Sequence, residues 1–328
     1  MQPIRPVQPA VPPLQYFTRD KEFWFEDGSI ILIASTIGFK VYRRLLMEHS
    51  PFFRDLFRIP QPPTTQQIDG CPFVRLSDRP EQVRHLLRVL FPTNGNLVFG
   101  KSHAPVTMDA VAATVRLAHK YQMDQLLAQG LSILMDFYTD DFNAWIKPKR
   151  QVSVTATDLD AISAINIANL TNTPSILPLA FLCASRAGSD VLNGCVRDKA
   201  FTERLTREDT MRVFDGRAKF IKESSKALAR ITMPKADIFC NEGRRCLRVL
   251  ASKACELSDH LDTLYSSRKM LQWGEEYVEE DLMTAMSLCE KCREMVADRE
   301  MDELRSLWDD LPEYFDLDLA EWGASESA

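Results

Sequence analysis

Residues 39–57 carry the sharpest hydrophobic pattern in the chain, with apolar side chains at helical spacing both before and after Ser50-Pro51. Because a residue that precedes proline avoids the α conformation, Ser50 fits the N-cap of a second helix and Pro51 its first position. Three phenylalanines follow in that second helix: Phe52, Phe53 and Phe57. The pattern predicts two short helices that meet at a corner and are built to pack.

Strand patterns flank this corner. Residues 30–33 are apolar at every position, as in the interior strand of a sheet, and residues 73–76 follow the Asp69-Gly70 turn as another strand. An aromatic segment comes before Asp27-Gly28, a dipeptide that tolerates the positive φ angles of a tight hairpin turn. We therefore expect a small sheet that begins with a hairpin.

Amphipathic helices are predicted for most of the remaining chain. Asp78 and Glu81 have the spacing of a capping box at the start of one helix, and Thr206 and Asp209 have it at the start of another. The other predicted helices cover residues 108–121, 124–137, 158–169 and 176–184. From residue 139 onwards the sequence is typical of a chain that is helical throughout.

Two separated motifs resemble those of BTB/POZ domains. The first motif follows the predicted hairpin and consists of a phenylalanine, a basic residue, a leucine pair and Ser-Pro-Phe-Phe. Its matching residues are Phe39, Arg43, Leu45, Leu46, Ser50, Pro51, Phe52, Phe53 and Phe57. Tyr42 stands where the family usually has histidine. The second motif, Ala118–Leu126, resembles the late-helix motif of the same family. The resemblance implies an α+β BTB/POZ fold, in which a small sheet packs on helices.

The length of 328 residues exceeds one typical core, so two domains are expected. The predicted organisation is a disordered Pro-rich tail over residues 1–16, the BTB/POZ domain over 17–138, an all-α domain over 139–317 and an acidic tail over 318–328. Residues 140–317 resemble, more loosely, the helical C-terminal region of fungal BTB-containing proteins. The prolines of the first tail recur with a period of three, which leaves a ligand for a PxxP-reading domain as the alternative interpretation.

Composition and charge argue against a nucleic-acid-binding protein, a membrane-associated protein and a disulfide-stabilised secreted protein. The formal charge of −6 argues against a broad nucleic-acid-binding face, which needs an excess of lysine and arginine. The sequence has neither a secretory leader nor an apolar run of membrane-spanning length, so we expect no membrane partner. Eight cysteines are too few for a disulfide scaffold of this length. The expected location is the cytoplasm, the nucleus or both.

Four of the cysteines are candidate ligands of a structural metal ion, which is the main alternative to a chain that binds no cofactor. Cys240 and Cys246 are separated by five residues, Cys289 and Cys292 by two, and the four thiolates together have the number that a structural zinc ion requires. The second pair lies on a predicted helical stripe, formed by Leu282, Met286, Cys289, Cys292 and Val296, and cysteine often packs as a small buried hydrophobe. Core packing is therefore the preferred interpretation, and structural zinc remains open.

No catalytic pattern is present in the sequence. It contains no nucleophile elbow, P-loop, dinucleotide fingerprint or HExxH motif, and none of its five histidines lies in a nucleophile context. We therefore expect a protein that is not an enzyme and has no catalytic residues. Association with other proteins is the remaining class of function.

The family resemblance implies how this association works. In BTB homodimers an acidic residue and a basic residue form a charged pocket at the two-fold interface, and Asp27 and Arg43 hold the nearest matching positions here. The alternative interpretation is that Asp27 is a turn residue and Arg43 an exposed charge on a helix. The predicted function is a homodimeric scaffold or adaptor, with recruitment of a cullin-type ubiquitin ligase as an implied extension. The alternative is a nuclear regulator that uses the BTB domain only to dimerise, although the sequence has no recognisable DNA-reading module.

Overall fold

A computed structural model describes residues 17–59, 67–91, 106–146, 154–259, 288–319 and 322–323. They form two compact units. The first unit comprises the described residues up to 91 together with 113–129, and the second comprises 106–112 and those from 130 onwards. The predicted Pro-rich tail lies outside the described residues, and so do 320–321 and 324–328 of the predicted acidic tail.

A four-stranded sheet lies at the centre of the first unit. Its strands are β1 (Thr18–Trp24), β2 (Ile30–Ala34), β3 (Ile37–Val41) and β4 (Phe73–Leu76), in the spatial order β1-β3-β2-β4. Strand β3 runs antiparallel to β2 and parallel to β1, and β4 runs parallel to β2. All five residues of β2 are buried, as its unbroken apolar run predicted for an interior strand.

The hairpin predicted at Asp27-Gly28 is wrong. The strands on either side of this dipeptide, β1 and β2, are not neighbours in the sheet, and neither residue has a positive φ angle. The hairpin instead joins β2 to β3 through Ser35, whose φ angle is 51°. The chain after β1 stays paired with β3, because the Phe25 amide donates to the Lys40 carbonyl at 2.9 Å. Asp27-Gly28 is an ordinary turn that leads from this edge to the sheet interior.

Five helices accompany the sheet: α1 (Arg43–His49), α2 (Pro51–Arg58), α3 (Pro80–Leu90), α4 (Met108–Lys120) and α5 (Asp124–Phe137). The last two contribute residues to both units. The predicted break between α1 and α2 is confirmed, since the Ser50 hydroxyl accepts a hydrogen bond from the Phe53 amide at 3.0 Å. The same buried hydroxyl donates to the Tyr121 carbonyl at 2.5 Å. One serine therefore caps α2 and attaches it to the end of α4.

The aromatic rings of α2 divide between the core and the surface. Phe53 is buried, with its ring centroid 4.7 Å from that of Tyr121 and 5.6 Å from that of Phe57. Phe57 packs against the core from its edge. Phe52 is 39% exposed, although its ring also contacts Tyr121 at a centroid distance of 5.3 Å. The corner therefore packs as its pattern predicted, with Phe52 as the exception.

The capping box predicted at the start of α3 is absent. Arg79 is the N-cap of that helix, and no side chain caps it. Asp78 instead accepts hydrogen bonds from the Lys120 ammonium, at 2.6 Å, and from the Tyr121 hydroxyl. Two hydrogen-bond donors at the end of α4 thus take the place of the predicted cap of α3 as partners of Asp78. The spacing of residues in the sequence cannot reveal such a distant interaction.

The second unit is mostly helical. Its helices are α6 (Phe142–Ile146), α7 (Ala161–Thr171), α8 (Leu177–Arg186), α9 (Arg207–Ile231), α10 (Gly243–Asp259), α11 (Glu290–Asp309) and α12 (Leu311–Tyr314), with 3₁₀ turns at Asp158–Asp160, Pro174–Ile176 and Gly188–Leu192. The predicted cap of α9 is confirmed, because the Thr206 hydroxyl accepts from the Asp209 amide at 3.0 Å. Among the described helices, none has the length and apolar character that crossing a bilayer requires.

Short strands interrupt the helices of this unit, so the expectation of a region that is helical throughout is wrong in detail. They are β5 (Val106–Thr107), paired with β6 (Val154–Thr155), and β7 (Cys195–Arg197), paired with β8 (Phe201–Glu203). Strands of two or three residues are too short for an alternating pattern to be recognised. The coarser expectation, a mixed α+β chain with a helical C-terminal region, is confirmed.

A buried arginine fixes one of these ladders. The Arg197 side chain is almost fully buried in β7, and its guanidinium pairs with Asp109 at 3.1 Å, with Glu203 at 3.3 Å and with Asp160. Burial alone would lower the pKa of Arg197, but the hydrogen bond to Asp160 and the surrounding carboxylates raise it. The Ser163 hydroxyl of α7 donates to Glu203, so the network also joins the ladder to that helix.

Candidate metal centre

The side chains of Cys240, Cys246, Cys289 and Cys292 converge on one point in the second unit. Their four sulfur atoms all lie within 4.8 Å of one another. A zinc ion with four thiolate ligands holds them in a tetrahedron with Zn–S distances of about 2.3 Å, which corresponds to sulfur separations of about 3.8 Å. The size of the cluster and the chemistry of its donors therefore fit Zn²⁺.

Two helix N-termini position these sulfur atoms. Cys246 lies in the first turns of α10, and Cys240 lies in the turn that precedes this helix. Cys289 is the N-cap of α11, and Cys292 lies in its first turn. The expectation that Cys289 lies within a helical stripe is therefore wrong, because the helix begins only at Glu290. The predicted stripe residues 282 and 286 lie outside the described residues.

Backbone amides point at two of the sulfur atoms. The Asp237 amide donates to the Cys292 sulfur at 3.4 Å, and the Cys289 amide donates to the Cys246 sulfur at 3.5 Å. Amide donors and the positive end of a helix dipole both favour the thiolate over the thiol. These contacts are thus suited to cysteines that bind a cation.

The pKa values of Cys289 and Cys292 are shifted in opposite directions from the ordinary value of a thiol. The Cys292 amide lowers the pKa of Cys289, whereas burial raises the pKa of Cys292 to about 12. Four thiolates next to one another in an apolar core are unstable without a compensating positive charge. A divalent cation supplies that charge and removes the thiol protons when it binds.

Apolar residues surround the cluster. Ile231, Leu250, Leu288 and Val296 are buried around it, and Cys246 and Cys292 are themselves fully buried. The preferred interpretation from the sequence, plain core packing, accounts for this burial. It does not account for the meeting of four sulfur atoms that come from two separate segments of the chain.

Asp27 and Arg43, the predicted residues of a dimer pocket, have different partners in the chain. The exposed Asp27 carboxylate accepts a hydrogen bond from the Tyr42 hydroxyl at 2.8 Å. The Arg43 guanidinium donates to the Phe57 carbonyl and lies 5.2 Å from the centroid of the Phe57 ring. Its buried Nε atom has no hydrogen-bond partner in the part of the chain that the structure describes. A charged pocket between two subunits stays a prediction.

Comparisons of the chain with family models, with curated proteins and with solved structures gave no match. The interpretation of the cysteine cluster therefore depends on its own geometry and donor chemistry. The four candidate ligands could be recognised in the sequence, but their proximity could not, because 42 residues separate Cys246 from Cys289. Only the fold brings the two pairs together.

Proposed function

We propose that this protein is a scaffold or adaptor that binds other proteins and has no catalytic activity of its own. In this proposal the first unit is a BTB/POZ domain that forms homodimers in the cytoplasm, the nucleus or both. The helical C-terminal region holds one structural zinc ion, and it presents a surface to client proteins.

One observation carries the interaction part of the proposal: the two motifs that resemble BTB/POZ domains contact each other. They are 71 residues apart at Ser50 and Tyr121, yet the Ser50 hydroxyl donates to the Tyr121 carbonyl and the Phe53 ring packs on the Tyr121 ring. These contacts give Ser50, Phe53 and Tyr121 a packing role. The resulting unit has a buried corner and no constellation of catalytic side chains among these residues.

The convergence of four sulfur atoms supports the zinc part. Four thiolates fill the tetrahedral coordination of Zn²⁺ and leave no position for a water molecule or a substrate. Cys240, Cys246, Cys289 and Cys292 would therefore bind a structural ion, which joins the start of α10 to the start of α11. None of these four cysteines forms a disulfide: all are free thiols, as ligand cysteines must be before metal binds.

The dimer part has a local argument in Arg43. The Arg43 side chain is half-buried, and its guanidinium has no carboxylate partner among the ion pairs of the described residues. In the proposed dimer the exposed Asp27 carboxylate of one copy pairs with the accessible part of the Arg43 guanidinium of the other. Light scattering on the purified full chain tests this: a dimer that becomes monomeric when Arg43→Ala is introduced supports the pocket, and a monomeric wild-type protein contradicts it.

Recruitment of a cullin-type ubiquitin ligase is the more specific form of the proposal. A pull-down with a purified cullin tests it, and the absence of binding at micromolar concentration removes the ligase role while leaving the scaffold. A nuclear regulator that only dimerises through the first unit remains the second candidate. It predicts a dimer, no cullin binding and a purely nuclear location.

Cobalt substitution tests the metal part directly. Co²⁺ bound by four thiolates gives intense charge-transfer and d–d absorption bands, which Zn²⁺ abolishes when it displaces the cobalt. We expect these bands at one Co²⁺ per chain. Spectra that match those of cobalt in water would contradict a four-thiolate site.

A further inference from the structure

The turn between α9 and α10 exposes two adjacent apolar side chains. Ile238 is 85% exposed and Phe239 is 70% exposed, which are the highest exposures of any large hydrophobic side chain in the described part of the chain. Single exposed apolar residues are common, but a contiguous apolar patch marks an interaction site. Met233, five positions before Ile238 in the same connection, is also about half exposed.

This turn is held in one conformation. The Asp237 carboxylate accepts from the Phe239 amide at 2.8 Å, and the Asp237 carbonyl accepts from the Cys240 amide at 3.1 Å. The Arg299 guanidinium donates to the carbonyls of Met233 and Lys235 at 3.1 and 3.3 Å. Cys240 also belongs to the metal centre, so a bound ion would hold the end of the turn. A fixed turn loses little conformational entropy when a partner binds.

Basic side chains accompany the apolar ones. Arg244, Leu247 and Arg248 are exposed and share one face at the start of α10, because residues at spacings of three and four lie side by side on a helix. Four basic and two acidic residues lie between positions 233 and 248, whereas the whole chain has a formal charge of −6. The region around the turn is thus a local basic surface on an acidic protein.

We infer that residues 237–240, here termed the docking tip, insert Ile238 and Phe239 into an apolar pocket of a partner protein whose rim carries aspartate and glutamate. Arg244 and Arg248 pair with that rim. The inference rests on the proposed function, since it identifies the client-binding surface of the adaptor and uses the metal centre to fix the tip.

The charge pattern favours a protein over a uniformly anionic surface. Asp237 and Glu242 lie next to the exposed apolar pair, and their carboxylates would be repelled by phosphates of a lipid headgroup or of a nucleic acid. The carboxylates of an acidic protein rim stand at fixed places, so they can face Arg244 and Arg248 without lying against Asp237 and Glu242, which a uniformly charged surface cannot do. Aromatic residues that enter a pocket are also the typical anchors of protein interfaces.

Site-specific photocrosslinking tests the inference in the full chain. The photoreactive residue benzoylphenylalanine replaces Phe239 in one variant and Leu192 in the control variant, because Leu192 is 59% exposed elsewhere in the same unit. We expect the tip variant to crosslink one protein with at least a tenfold higher yield than the control. The crosslinked peptide should lie beside aspartate or glutamate, and the added changes Arg244→Glu and Arg248→Glu should lower the yield about tenfold.

Each of the other results overturns the inference. One such result is an equal crosslinking yield at positions 239 and 192. Another is a crosslink to phospholipid, to nucleic acid or to a second copy of the chain. The last is a crosslinking yield that the changes Arg244→Glu and Arg248→Glu leave unaltered. Zinc content and light scattering are measured on the same variants. These two measurements test the proposed function independently of crosslinking, because we expect replacement of the exposed Phe239 to leave both the zinc content and the dimer unchanged.

Discussion

The sulfur atoms of Cys240 and Cys289 lie 3.5 Å apart, although the two residues are 49 positions apart in the chain. One belongs to the turn before α10 and the other caps α11, so their proximity is a property of the fold and not of local sequence. With Cys246 and Cys292 they complete a donor set of four thiolates. The stability of the second unit should accordingly depend on a metal ion.

Loss of one ligand should destabilise the second unit. Binding of structural Zn²⁺ contributes about 10–16 kcal/mol in small zinc-dependent folds, so Cys292→Ser should lower the free energy of unfolding by roughly 3 kcal/mol or more. Cys71→Ser, at a cysteine outside the cluster, is the matched control. Thermal unfolding with and without a chelator measures both; a chelator should lower the Tm of the wild type and of the control but not that of Cys292→Ser.

Ser50 should be more important for stability than an ordinary helix cap. Ser50→Ala removes the cap of α2 and the buried hydrogen bond to Tyr121, so we expect a loss of about 2–3 kcal/mol. Thr206→Ala, at an exposed position, removes the cap of α9 and the hydrogen bond from its hydroxyl to the Asp209 carboxylate, and should cost about 1 kcal/mol. Chemical denaturation of both variants measures the difference, and equal losses would show that the contact between the two motifs contributes nothing.

Replacement of Arg197 should be strongly destabilising. Arg197→Leu removes the cation from the buried Glu203 carboxylate and from the partly buried Asp160 carboxylate, for which we expect a loss of about 3–5 kcal/mol. The control is Arg19→Leu, which breaks an exposed ion pair with Asp69 and should cost less than about 1 kcal/mol. If denaturant midpoints shift equally in the two variants, the buried network has no special role.

Glu300 should make the second unit less stable as the pH rises. It is buried on α11, one of its carboxylate oxygens has no hydrogen-bond partner among the described residues, and burial raises its pKa to about 7. The folded state therefore binds the proton more tightly than the unfolded state, in which the ordinary pKa applies. The stabilisation is complete below the unfolded pKa and is lost as the pH rises through about 7.

The test compares the wild type with Glu300→Gln, which cannot titrate. Between pH 5 and pH 8 the free energy of unfolding of the wild type should fall by roughly 2 kcal/mol relative to the variant. Any effect of pH on metal binding is common to both proteins and cancels in the difference. The exposed Glu313→Gln serves as the control, and parallel pH curves for the wild type and Glu300→Gln would refute the prediction.

Local signals in the sequence predicted much of the first unit. Ser50 before Pro51 specified the helix break, and the continuous apolar run of β2 specified an interior strand. The errors arose where a distant group decided the outcome. Asp78 binds the end of α4 and so does not cap its own helix, and β1 pairs with β3 and so forms no hairpin with β2.

Only one of the two cysteine pairs of the candidate metal site has a spacing that identifies metal ligands in the sequence. The Cys-x2-Cys pair has the usual ligand spacing, and its position at a helix N-terminus was hidden by an apolar pattern that continues on both sides of it. The partner pair has an unusual spacing and lies more than forty residues away. Spacing alone could not show that all four side chains point to one place.

Metal analysis of the full chain, purified without chelators, tests the central claim most directly. Inductively coupled plasma mass spectrometry gives the amount of zinc per chain. The account predicts one zinc ion per chain in the wild type and in Cys71→Ser, and a loss of most of it in Cys292→Ser. A wild-type protein that is folded with clearly less than one zinc ion per chain, and that does not take up added zinc, would contradict it.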